Sequence, residues 1–217
     1  SRSVSSIFNR LPASPANSIS SQMVRTSFAK ASAICGVART FCSAGTRLGA
    51  MSNAGFECVA IADNLGAFTL ADFAPATAAA MTEVLKRARI AEIVGVHDPM
   101  DLTPIMDDAG TEEILRLVLA DPGVDLGIAG LVPLTQAYNS LARGEGHGED
   151  VTREGSIADR MVRLFREGGK PWVAVVDAGP LYDPMVALME AGGVPVFRAA
   201  DRALRLFNRW AEAVTRG

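Results

Sequence analysis

Six short apolar runs, each the length of a buried strand, alternate along this chain with longer amphipathic stretches, and this alternation constrains the fold more than any other feature. VAVV within 172–177 and GIAGLV within 126–132 are apolar almost without interruption. Such runs suit strands covered on both faces, as in a parallel sheet, better than strands with one wet side. Strands are expected at 48–52, 67–70, 93–96, 126–132, 172–177 and 194–197. The stretches that follow them predict helices over 55–65, 75–89, 111–120, 157–167, 181–191 and 201–214. Pro75 suits a first helical position, where its missing N–H costs nothing. The pattern is that of an α/β fold: a flavodoxin-like, or Rossmann-like, three-layer parallel sheet with helices on both faces.

Ahead of the sheet the character changes. Residues 1–20 are rich in Ser, Pro and Asn and predict a tail or linker, whereas Met23, Val24, Phe28, Ala31, Ile34, Val37, Ala38 and Phe41 recur at helical spacing over 21–41. The division is an N-terminal linker and helix over 1–45 and one domain over 46–217. Arg2, Arg10, Arg25, Lys30, Arg39 and Arg47 all precede the first acidic residue, Glu57. These cations are spread rather than clustered, and the remainder is acidic, which argues against a nucleic-acid surface. No run of about 18 apolar residues and no secretion signal is seen, so no membrane partner is expected and the cytoplasm is the expected location. Cys35, Cys42 and Cys58 lack the spacing of a metal or redox site, so no metal is expected and the thiols are read as reduced and mostly buried. Cys58 lies in the first turn of a predicted helix, where the helix dipole would lower a thiol pKa. Residues 142–155, ARGEGHGEDVTREG, read as an exposed loop or a disordered insertion, with His147 solvated.

In such a sheet ligands bind beyond the carboxyl ends of the strands. The segment RLGAMSNAGFECVAIAD (47–63) reads as strand, Asn-Ala-Gly turn and helix, and the open N–H groups and dipole of a helix start attract a phosphate or carboxylate. Asn53 is read as either a helix cap or a ligand-binding amide, and Gly55 as a place for close backbone approach. In VHDPMDLTP (96–104), His97 is the candidate for acid–base work or phosphorylation, and Asp101 or Thr103 caps a turn. Pro133 and Leu134 complete a pocket or merely connect to a helix; Asp177 is a pocket carboxylate or a turn former. Arg198 is a candidate anion contact, and Asp201 a helix cap. No P-loop, GxGxxG, GxSxG or HExxH motif is present.

Five blocks, in order, resemble one family. RLGAMSNAG (47–55), DPMDL (98–102), DPGVDLGIAGLVP (121–133), GKPWVAVVDAG (169–179) and AGGVPVFRAADRALR (191–205) are similar to segments of the NDP-forming acyl-CoA synthetases, the superfamily of ADP-forming acetyl-CoA synthetase and succinyl-CoA synthetase. The match spans about 47–210 and resembles the second flavodoxin-like CoA-ligase domain. The resemblance implies a reaction in which acyl-CoA, NDP and phosphate interconvert with acid, CoA and NTP through a phosphohistidine. It also implies that this domain supplies an anion-binding helix start, with Asn53, Ala54 and Gly55 as the carried-over positions. The family's S-H-T-G segment, ATP-grasp domains and CoA-binding domain have no counterpart here. The chain is therefore expected to be inactive alone, to bind no cofactor itself, and to partner domains or subunits that use CoA, ATP or GTP, and magnesium. Glu57, where the family has a small residue, either repels phosphate or orients a partner histidine. A non-catalytic ligand-binding or protein-interaction domain of the same fold, a free-standing enzyme using His97 or Cys58, and a homo-oligomer stay open as alternatives.

Overall fold

The computed structural model describes residues 45–215, with side chains to residue 209. The linker and helix expected over 1–41, with Cys35 and Cys42, lie outside the described residues. The elements are β1 (Arg47–Ser52), α1 (Gly55–Ala62), β2 (Thr69–Leu70), α2 (Pro75–Arg87), β3 (Met100–Asp101), α3 (Asp108–Ala120) and β4 (Leu126–Gly130). They continue with α4 (Ile157–Glu167), β5 (Trp172–Val175), a 3-10 turn (Pro180–Tyr182), α5 (Asp183–Ala191), β6 (Val196–Phe197) and α6 (Ala200–Thr215). Every strand pair is parallel. The expected α/β layer fold is the one found.

The sheet order is β2-β1-β4-β5-β6, with β3 also on β1. Because β4 runs along one edge of β1 from Leu48 to Ser52, β2 and β3 share the other edge in series, one against Arg47 and Leu48, the other against Met51 and Ser52. This corrects the expected strand at 93–96. There the backbone closes a turn, with Ile93 and Val94 N–H groups both donating to the Ile90 carbonyl, and Ile93 is 66% exposed. The apolar residues of that run anchor a turn rather than a ladder. The gap between β2 and β3 is bridged by a side chain: Asp98 accepts from Ala50 N (2.8 Å) with one carboxylate oxygen and from Ala71 N (2.9 Å) with the other. Burial pushes this carboxyl up to about 7, against the two N–H bonds that favour its charged form.

Successive strand residues point to opposite faces, and both faces are covered. Leu48, Ala50, Leu126, Ile128, Val173 and Val175 pack under α1 and α6 with Ile61, Leu204 and Phe207. Met51, Ala129, Ala174 and Val176 pack under the row α2-α3-α4-α5. Each fully buried Leu, Ile or Met contributes about 1.5–3 kcal/mol. Phe165 meets Trp172 edge to face at 5.6 Å in the second cluster.

Local contacts account for several departures from the sequence expectation. Helix α3 starts at Asp108, ahead of the expected 111, because Asp107 caps it by accepting from Gly110 N at 2.7 Å. The expected helix at 181–191 divides at Asp183, where Pro184 opens α5 after the 3-10 turn. The stretch 142–155 is exposed at its tip but follows a fixed course at its base. There the Glu149 carboxylate accepts from Ser140 N (2.9 Å) and Leu141 N (3.0 Å), and Asp150 N donates to Asn139 Oδ1 (2.6 Å). No helix among the described residues is long and apolar enough to cross a membrane.

Candidate functional site

The chain leaves β1 through α1 toward one edge of the sheet and crosses back through α3 to β4, so the crevice between the loops after β1 and β4 is the topological switch point. Asn53 closes that crevice from within. Its Nδ2 donates to the Val132 carbonyl (2.8 Å) and its Oδ1 accepts from Val132 N (2.8 Å), and the residue is 1% exposed. An amide side chain here imitates a strand neighbour and ties 52–55 to 131–134. The expectation of a helix cap at Asn53 is thereby corrected: Ala54 is the N-cap residue, and it offers no side-chain bond. Glu57 N turns back to the Ala54 carbonyl (3.0 Å), while the N–H groups of Gly55 and Phe56 meet no acceptor among the described residues. Two unpaired donors at the positive end of α1 therefore face the crevice.

Gly55 is needed for close approach, but the approaching group is part of the protein. A Cβ at Gly55 would come 2.8 Å from Asp101 Oδ2. Asp101 Oδ1 accepts from Thr103 N (3.0 Å), and Thr103 holds a left-handed backbone at φ 59°, unusual for a β-branched residue. The strained loop sets the Asp101 carboxylate against the helix start.

Glu57 lies under the same turn and not at its surface. It is 1% exposed, and its Oε2 accepts from Ser52 Oγ (2.7 Å), which in turn accepts from Ala54 N (3.2 Å). Room for the carboxyl comes from Gly130 at the end of β4, where a Cβ would collide with Glu57 Oε2 and sit 2.7 Å from Ser52 Oγ. The other oxygen, Oε1, is buried with no partner among the described residues. Burial pushes the Glu57 carboxyl up to about 7; the Ser52 bond opposes the rise and nearby Asp177 adds to it. The same burial, with Asp101 and Glu57 beside it, pushes the Cys58 thiol up to about 12. The expectation that the helix dipole lowers that pKa is overturned, because desolvation and neighbouring carboxylates outweigh a dipole end.

Pro133 is buried beneath the crevice, whereas Leu134 and Asp177 stand exposed at its rim. Thr135 Oγ1 donates to the Pro104 carbonyl (2.5 Å), joining the loops after β3 and β4, and Tyr138 is buried against Thr111 at 2.9 Å. Exposed His97 precedes β3 instead of following a strand, which removes the strand-end position that made it a candidate. Arg198 is engaged by Asp183 and the Ala178 carbonyl, and Asp201 pairs with Arg205. Ser52, Gly130 and Val132 were not singled out from sequence; the only signal for them is the Ser five residues before Glu57 and the Gly ending an apolar strand. Beyond the carboxyl ends of the strands four large apolar side chains face solvent: Phe56 in the first turn of α1 (60% exposed), Ile105 after β3 (59%), Leu134 after β4 (69%) and Leu181 in the 3-10 turn after β5 (66%). No group of three or more His, Cys, Asp and Glu among the described residues is placed to hold a metal.

No protein-family profile and no curated protein matches the chain. Solved structures do match in fold. The PH0766 protein of Pyrococcus horikoshii superposes with a TM-score of 0.62 at 22% identity, over 81% of this chain and 39% of that one. The dinucleotide forming acetyl-coenzyme A synthetase 1 of Ca. Korarchaeum cryptofilum, in complex with phosphate and ADP, gives 0.60 at 17% identity, over 79% and 34%. Its apo form gives 0.58 at 18%, over 79% and 35%. At these identities the likeness is one of fold, and this chain spans between 34% and 39% of the length of these three chains.

Proposed function

We propose that this chain is a flavodoxin-like module of an NDP-forming acyl-CoA synthetase, whose crevice after β1 receives a phosphoryl group carried by another part of the enzyme. The observation that carries this reading is the start of α1, where the Gly55 and Phe56 N–H groups stay unpaired at the switch point while Asn53 holds the turn rigid from inside. Each charge-assisted bond from such a donor to a phosphoryl oxygen would be worth about 1.5–3 kcal/mol. Exposed Phe56, Ile105, Leu134 and Leu181 support a docked partner, because apolar side chains gathered beside a polar crevice mark interaction surfaces. A fold shared with a third of an acetyl-CoA synthetase chain supports the presence of further domains or subunits. In this role ATP or GTP, CoA and magnesium would be bound by those partners.

In this role the chain's own part is to bind and orient. The partner's histidine would present its phosphoryl group to the α1 start, and Glu57 would bear on it from beneath through Ser52. A second reading has one observation in its favour: Asp101 and Glu57 crowd the helix start with carboxylates, as in an interaction domain that has lost anion binding. The test is reconstitution with the ATP-grasp and histidine-bearing segments encoded in the same or an adjacent reading frame. Formation of NTP from acyl-CoA, NDP and phosphate is expected to need this chain, and Phe56→Asp with Leu134→Asp is expected to abolish it without unfolding the domain. Turnover that survives the double substitution, or proceeds without the chain, refutes the reading.

A further inference from the structure

The crevice is not lined by donors alone. Beside the open N–H groups of Gly55 and Phe56 stands Asp101 Oδ2, 2.8 Å from where a Gly55 Cβ would be and without a donor of its own among the described residues. Under the same turn Glu57 Oε1 is buried and unpaired, while Oε2 of the same carboxyl accepts from the Ser52 hydroxyl that takes the Ala54 amide. Two carboxyl oxygens lacking donors thus sit with two N–H groups lacking acceptors. An oxyanion that only accepts hydrogen bonds would satisfy the amides and set a lone pair against Asp101. An oxyanion with a hydroxyl of its own would satisfy both sides, since P–OH donates to a carboxylate while its other oxygens accept.

We infer that the ligand of this crevice is a phosphate or phosphoryl group that still carries a P–OH, and that the crevice rejects sulfate, which has the same shape and no proton to give. This rests on the anion-binding reading above and narrows it to a protonated phosphoryl group. Asp101 does the selecting at the accessible side, and Glu57 adds a charge beneath the floor that a fully ionised ligand would face. Unpaired acceptors set against the wrong ligand are a general route to specificity, and they discriminate through a penalty that the right ligand does not meet.

The experiment is a titration of the isotope-labelled full chain with inorganic phosphate and, separately, with sulfate at matched ionic strength at about pH 8, where the Glu57 carboxyl is charged, following the Gly55 and Phe56 amide signals. Phosphate is expected to bind about tenfold tighter than sulfate or better. Asp101→Asn, which adds a donor at that position, is expected to narrow the ratio, and Glu57→Gln to raise sulfate affinity. Sulfate binding as tightly as phosphate to the unaltered chain overturns the inference and leaves the anion site standing, as does a ratio unmoved by both substitutions. Binding of neither anion overturns the inference together with the anion site beneath it.

Discussion

Replacing Glu57 by Gln removes a titration and keeps the shape of the side chain. In the folded protein burial pushes the Glu57 carboxyl up to about 7, from an ordinary value of 4.5. With about 1.4 kcal/mol for each tenfold difference in proton affinity, the folded state gains about 3 kcal/mol from holding this proton more tightly than the unfolded chain does. The sign follows from linkage. A carboxyl whose folded pKa is raised stabilises the protein fully below its unfolded pKa, and that contribution is lost as pH rises toward the folded value. Wild type should therefore weaken between pH 4.5 and about 7 relative to Glu57→Gln, whose neutral amide keeps the Ser52 contact at every pH. Asp98 and Asp108 are pushed up to about 7 and about 6 by burial and titrate in the same window, but both are present in both proteins and cancel in the difference. Urea denaturation followed by circular dichroism at pH 5 and pH 8 measures it. The stability difference between the two proteins should change by about 2–3 kcal/mol in favour of the Gln variant on going to the higher pH. A difference that does not change with pH would mean that Glu57 is solvated and that the buried Ser52–Glu57 pair is wrong.

Asn53→Ala leaves the N–H and C=O of Val132 buried without partners, and should cost about 2–4 kcal/mol in the same denaturation assay; a loss below 1 kcal/mol would argue that the clamp is not formed. Gly130→Ala drives a methyl into the Glu57 carboxyl and should cost about 1–3 kcal/mol, much less in a Glu57→Ala background, so a double-mutant cycle that is additive contradicts the placement of the carboxyl. Arg89 ends α2 in a left-handed conformation, φ 60°, with Arg89 N donating to the Lys86 carbonyl and Ile90 N to the Leu85 carbonyl, a site that favours Gly. Arg89→Gly should stabilise by about 0.5–1 kcal/mol and raise Tm by roughly 1–4 °C, whereas a fall in Tm would show that Arg89 makes compensating contacts.

The layer architecture and the place of the crevice were legible because long apolar strands and helix-length periodicity report burial, and burial on both faces is what a parallel sheet demands. The third strand was not, since two residues carry no period and β3 owes its register to the Asp98 carboxylate, a long-range feature of the fold. The Asn-Ala-Gly turn was legible as a helix start, yet the partner of Asn53 lies 79 residues away and nothing local announces it. Glu57 is legible as a first-turn carboxylate that either repels phosphate or orients a partner histidine, and only the missing side chain of Gly130 shows why it can turn inward. His97 and Cys58 are residue types with familiar chemistry whose surroundings differ from those the sequence suggested: His97 is exposed ahead of an edge strand, and Cys58 is a thiol raised by burial with Asp101, Glu57 and Asp98 adding to the rise.

The start of α1 as an open anion site is tested most directly by amide chemical shifts during phosphate titration, because the chain carries its own controls. Helices α3 and α4 begin with N–H groups already satisfied by Asp107 and Ser156, at Gly110 and Asp159. Saturable shifts at Gly55 and Phe56, with Gly110 and Asp159 unmoved, are the expected result. No shift at millimolar phosphate, or equal shifts at the capped helices, would contradict it.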